Sequence, residues 1–298
     1  MDASSEDYSA HITSQTTLIP ALHSWEMYLN DQGKSFYTVK AFLGDLNLLV
    51  SYLAPDQTIG SISTNDLNNF LNWLQDGRGV SCSPKSLARR ITSLKAFFRW
   101  LNTAGVISVD PAEKVLQKTV LSPLPIVLTD EEIEKVLDVA DRKRSKLKPD
   151  ARDYTLLLFM LETGVKKGEC LNVHINHIDL EDPESPFVFI RYANPQYRYK
   201  ERKISVSKEW VASYKEYLSQ YKPEEYVFPW SPRRLEYLLE DIGEEAGITK
   251  HLSFDMCRWT SSITDWKNGV DHENIRQKLG ISKIQWREIS QKIKQLAE

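Results

Sequence analysis

Between positions 78 and 99 the chain places six basic residues, Arg78, Lys85, Arg89, Arg90, Lys95 and Arg99, with no aspartate or glutamate among them. Five more, Arg142, Lys143, Arg144, Lys146 and Lys148, crowd one short run. Cations without interspersed carboxylates suit one chemistry above others, which is to neutralise phosphate and displace its counterions. The formal charge of −3 shows that this cationic character is local, because acidic residues gather elsewhere, at 130–134 and 240–245. Cys82, Cys170 and Cys257 form no CxxC pair. Neither a disulfide framework nor a zinc cage is therefore expected, and no cofactor motif is present.

The elements that must hold these cations can be read from spacing. Ser83 followed by Pro84 is a helix start, and the helix should run to about residue 102. At 100° per residue, Leu87, Ile91, Leu94, Phe98 and Leu101 fall on one side, and Lys85, Arg89, Lys95 and Arg99 on the other. One side packs and the other forms a cationic stripe. Helices are also expected over 17–30, 36–53 and 65–75. The extended stretch 116–129, with Pro123 and Pro125, reads as a linker. The chain therefore divides into a flexible start (1–16), a helical domain (17–118), a linker (119–128) and a second domain (129–298). In the second domain, Thr129 and Glu132 make a capping box. Helices over 151–163 and 168–173 follow, then strands over 187–191 and 202–206 joined as a hairpin. Helices return at 208–220, 231–246, 253–268, 271–279 and 283–297. With no run of eighteen apolar residues and a polar, acidic start, the expectation is a soluble cytoplasmic protein, nucleoid-associated in a bacterial host cell, with no membrane partner.

This order of elements, with several local motifs, resembles the tyrosine recombinases of the phage integrase family from about residue 17 to the end. The resemblance implies a mainly α fold with a small β-hairpin, in two domains: a helical, SAM-like core-binding domain and an α+β catalytic-like domain. The family's TG-x-R-x-x-E motif reads Thr163, Gly164, Val165, Lys166, Lys167, Gly168, Glu169, so its first arginine falls on Lys166. Its hairpin lysine falls on Tyr197, ahead of the retained Lys200, Glu201 and Arg202. Its HxLRH motif reads Asp255, Met256, Cys257, Arg258, Trp259. The LGH histidine falls on Ile281 and the nucleophilic tyrosine on Ser290. The last tyrosine of the chain is Tyr237.

With the first arginine, the lysine, both histidines and the tyrosine replaced, the resemblance implies a protein that is not an enzyme. A serine nucleophile needs a base, and His251 and His272 are the histidines near in sequence. Lys166 and Arg258 are expected as a relic anion site, with an ion pair between Arg258 and Glu169 as the structural alternative. The duplex surface is expected to persist through Arg233 and Arg234, in the first turn of a helix capped by Ser231, and through Arg198, Lys200, Arg202 and Lys203 on the hairpin. The function so implied is sequence-specific binding of double-stranded DNA without strand cleavage, as a transcriptional repressor of a phage or mobile element resembling the SPβ prophage type. The alternatives are a divergent recombinase with a nucleophile other than tyrosine, and an accessory protein that binds a recombinase. In the latter the C-terminal helix, with Ile289, Ile293 and Leu296 on one side, would serve self-association or a peptide or protein partner.

Overall fold

The computed structural model describes residues 8, 11–80, 82–116 and 123–298. It divides into two compact units, Met1–Pro123 and Leu124–Glu298.

The first unit is helical. It contains α1 (Leu18–Asp31), α2 (Phe36–Tyr52), α3 (Thr64–Asn72) and α4 (Pro84–Thr103). Each of the last three starts where a serine satisfies orphan amides: Ser35 accepts from Thr38 N, Ser63 and Asp66 cap reciprocally, and Ser83 accepts from Ser86 N. The apolar stripes meet in a core where Trp25 lies stacked on Phe42 (5.7 Å between centroids) and edge-on to Phe97 (5.2 Å). Where the sequence predicts plain helix to residue 75, α3 gives way to a π-helical turn, Trp73–Gly77. The expected flexible start also needs correction. Residues 1–7, 9 and 10 lie outside the described residues, but Ile12 is buried and Gly60 N donates to Ser14 O at 2.8 Å. A Cβ on Gly60 would stand 2.7 Å from Ser14 Cβ, so this docking needs glycine there.

The second unit surrounds one buried helix. Every residue of α6 (Arg152–Thr163) from Asp153 to Met160 is buried. Packed against it are α5 (Asp130–Arg144), α8 (Lys208–Tyr221), α9 (Pro232–Glu245) and α10 (Phe254–Lys267). Short α7 (Lys167–Leu171) follows α6 across Gly164, which adopts φ 57° and ends the helix. A three-stranded antiparallel sheet, β1 (Ile178–Asp179), β2 (Phe187–Ile190) and β3 (Arg202–Ser205), pairs Val188 with both Ile178 and Ile204. The pleat sends Val188, Ile190 and Ile204 inward. β1, only two residues long, was not anticipated, since a pair carries no period. The hairpin connection is a 3-10 turn, Pro195–Lys200, capped by Asn194. α11 (His272–Lys278) and α12 (Lys283–Ala297) close the unit.

The expected linker needs correction. Of the expected linker, 119–122 lie outside the described residues, while Leu128 is buried and donates to Thr260 Oγ1 at 3.0 Å. Residues 124–128 thus belong to the second unit. In α12, Ile293 is fully buried and Ile289 joins Trp266 and Trp286 around Ile275, Leu279 and Ile281. Two residues of the apolar side considered for an outside partner thus pack within this unit, while Leu296 is half-buried. Among the described residues no helix is long and apolar enough to cross a membrane.

Candidate nucleic-acid interface

The starts of α7, α9 and α10 border a cleft of about 710 Å³, lined in part by Lys166, Arg233, Tyr237, Asp255 and Arg258. Three of the family-matched positions, Lys166, Asp255 and Arg258, therefore do meet. Ile281 and Ser290 are not in its lining: Ile281 is buried, and Ser290 Oγ donates to Arg287 O at 3.4 Å. Tyr197 is exposed in the 3-10 turn, where Lys200 Nζ lies 4.7 Å from its ring centre. Trp259 is half-buried on α10.

The cleft rests on a buried charge pair. Glu169 accepts from Arg202 Nη2 at 2.9 Å and Nη1 at 3.0 Å, from the Tyr192 hydroxyl, and from Lys166 N at 2.8 Å. Burial alone would raise its carboxyl, but Arg202 in two-pronged contact outweighs it, and the group sits at about 2. Arg202 also donates from Nε to Lys278 O at 2.6 Å, with only 8 % of its side chain exposed. It therefore holds β3, α7 and the end of α11 together. This corrects its assignment to phosphate contact: a guanidinium so enclosed has no face left for a duplex. It also corrects the partner of Glu169, which is Arg202 and not Arg258.

Arg258 instead donates to Gly164 O and, at 2.7 Å, to Leu279 O, the residues that directly follow α6 and α11. Burial pushes its guanidinium down to about 10. The Lys166 ammonium is likewise lowered, first by burial, with Arg258, Lys200 and Arg202 adding repulsion against the attraction of Glu169. The surroundings of Lys166 thus carry more positive than negative charge. Asp255, exposed on the first turn of α10, opposes this.

Arg233 and Arg234 are both exposed, and Ser231 caps the turn that carries them. Arg233 Nε donates to Tyr237 Oη at 2.7 Å. The sequence reading missed Tyr237, although its spacing of four from Arg233 was the available signal. On the hairpin, Arg198 is exposed beside a second cleft, of about 700 Å³, with His177, Arg191 and Glu201. Lys203 lies over the Phe187 ring at 4.2 Å. His251 is 3.7 Å from Glu240, and His272 is stacked on Trp266.

In the first unit the stripe on α4 is only partly free. Lys85 and Arg99 are exposed and Lys95 half-buried. Arg89, however, reaches Asp45 at 2.6 Å, and Arg90 turns inward, 3.7 Å from Asp45 and 2.6 Å from Cys82 Sγ. Arg90 is thus a packing residue, and Arg89 is shared between Asp45 and solvent. Asp45 is buried on α2, its carboxyl raised by that burial against the pull of Ser93 and Arg89. The other basic run is largely paired: Arg142 with Asp138 at 3.2 Å, Lys143 with Asp153 at 2.9 Å and Arg144 with Glu216 at 2.6 Å. Cys82, Cys170 and Cys257 are free thiols.

Residues 127–289 match the phage integrase family, and residues 22–105 match the phage integrase N-terminal SAM-like domain. The tyrosine recombinase XerD of Listeria innocua is 26% identical over 85% of this chain and 87% of its own length. The tyrosine recombinase XerC of Oceanobacillus iheyensis is 24% identical over 84% and 83%. Among solved structures, a lambda integrase dimer bound to a COC' core site superposes with a TM-score of 0.72 at 16% identity, covering 95% of this chain and 79% of that one. The XerH site-specific recombinase bound to palindromic difH gives 0.72 at 17% identity, covering 98% and 91%. These likenesses bear out the mainly helical, two-domain recombinase fold. They overturn the expectation that the chain is not an enzyme, because relatives matching over most of its length are named as recombinases.

Proposed function

The chain belongs to the phage integrase family, and on that premise we propose that it recognises double-stranded DNA at a specific site. The observation that carries this reading is the meeting of Lys166, Arg258 and Arg233 in one cleft beside the exposed, capped start of α9. Deep cations suit a phosphate, and arginines on a helix start suit base edges. Lys85, Lys95 and Arg99 on α4 and Arg198 and Lys200 on the hairpin, which form no ion pair among the described residues, supply further backbone contacts. The finer use we assign is regulation, with the protein repressing transcription of a phage or mobile element by occupying a site that overlaps a promoter. The formal charge of −3 supports this, since weak non-specific attraction lets a regulator leave other DNA.

The named recombinase relatives favour a second reading, site-specific strand exchange with a nucleophile other than the family tyrosine. Ser290 places a hydroxyl at that position.

Fragments of the protein's own gene neighbourhood, run on matched native and denaturing gels, test both. A sequence-dependent native shift is the expected result, and its absence on every fragment would overturn site recognition. A protein–DNA adduct that survives denaturation would establish the strand-exchange reading in place of repression.

A further inference from the structure

On the cleft side of α9, four side chains succeed one another at helical spacing: Arg233, Glu236, Tyr237 and Glu240. Their engagements differ. Glu236 is held by Lys167 at 2.7 Å, and Glu240 has His251 at 3.7 Å. Arg233 has no ion pair among the described residues. Its contacts are with Tyr237, whose hydroxyl takes Nε–H at 2.7 Å and whose ring centre lies 5.1 Å from the guanidinium carbon. With Nε engaged, the edge formed by the two terminal nitrogens stays free, and that edge matches the O6 and N7 acceptors of guanine. An exposed arginine ordinarily samples many rotamers, so fixing it before contact removes part of the entropy cost of binding.

We infer that Tyr237 is a positioning residue that aims the terminal guanidinium edge of Arg233 at a guanine in the bound site, so that the pair reads one G·C base pair. This rests on the reading that the chain recognises a duplex site. Arg234, exposed on the next residue and pointing about 100° around the helix, has no such partner among the described residues and acts as a phosphate contact.

The experiment uses the full chain and duplexes selected by the unaltered protein from a randomised library. Every base pair of the selected site is then replaced in turn, and affinities are measured for the unaltered protein, Arg233→Ala, Tyr237→Phe and Arg234→Ala. Tyr237→Phe keeps the ring and removes only the hydroxyl of an exposed residue, so it should fold. It should bind the selected site about tenfold more weakly. At the one G·C pair where Arg233→Ala loses all discrimination, Tyr237→Phe should lose most of it, and its salt dependence should be unchanged. Arg234→Ala should weaken binding to all sequences alike and lower the salt slope by about 1. If Tyr237→Phe discriminates at every position as the unaltered protein does, the inference is overturned while site recognition stands. Equal losses on all sequences for Arg233→Ala, with a reduced salt slope, would also overturn it. Selection that enriches no sequence would overturn site recognition itself, and the inference with it.

Discussion

Glu169 and Lys166 sit one helical turn apart, yet burial acts on them in opposite ways. For Glu169 the paired form wins, and its carboxyl lies at about 2 instead of the usual 4.5. A depressed acid adds stability above its unfolded value and loses it as pH falls towards its folded value. The melting temperature should therefore fall steeply as pH drops from about 4.5 to about 2, and Glu169→Gln should flatten that part of the curve. Replacement by alanine leaves Arg202 buried without a counter-charge, and urea titration should show a loss of about 3–5 kcal/mol. Lys166 has a lowered ammonium, so its charged form opposes folding and the cost is relieved as pH rises. Lys166→Met should melt no lower than the unaltered chain near neutral pH while binding DNA more weakly; a clear loss of stability would show that Lys166 is structural. The sequence placed Lys166 and Arg258 near one another through their motifs. It could not show which arginine takes Glu169, because that choice depends on how β3 and α10 approach α7.

At the scale of elements, helix starts were the most legible feature. Ser83 with Pro84, Ser231 with Pro232, and Thr129 with Glu132 each open a helix where local capping alone predicts it. What escaped were features decided by contact between elements: β1, the docking of residues 11–16 and the inward turn of Arg90 towards Asp45. Two glycines test how tightly the elements are seated. Gly280 has φ 59°, and a Cβ there would stand 2.6 Å from Arg202 Nη1. Gly269 has φ 73° with nothing within 4 Å. Gly269→Ala should lose about 1–2 kcal/mol through backbone strain alone. Gly280→Ala adds displacement of Arg202 from Glu169, and denaturation should show a loss at least about 1 kcal/mol larger. Equal losses would mean that Arg202 moves aside freely.

Across the whole molecule, charge is sorted in a way the net value of −3 conceals. Much of the basic content is tied into ion pairs within the units, as with Lys143, Arg144 and Arg202. The cations left at the surface of α4 should therefore carry much of the salt dependence. Replacing Lys85, Lys95 and Arg99 together by alanine should lower the slope of log affinity against log salt by about 2–3, measured by fluorescence anisotropy; an unchanged slope would place the duplex elsewhere. Amphipathic spacing revealed the stripe, but it could not show that Arg89 and Arg90 are drawn off by Asp45 on another helix. The enclosure of Arg202 also bears on how this chain can change over generations. Glu169 and Arg202 lie 33 positions apart in the chain, so no single nucleotide change alters both, and removing either strands its partner in the interior. Inherited variation should accumulate first at exposed neighbours such as Tyr197 and Asp255, leaving this pair as the slowest-drifting mark of common ancestry.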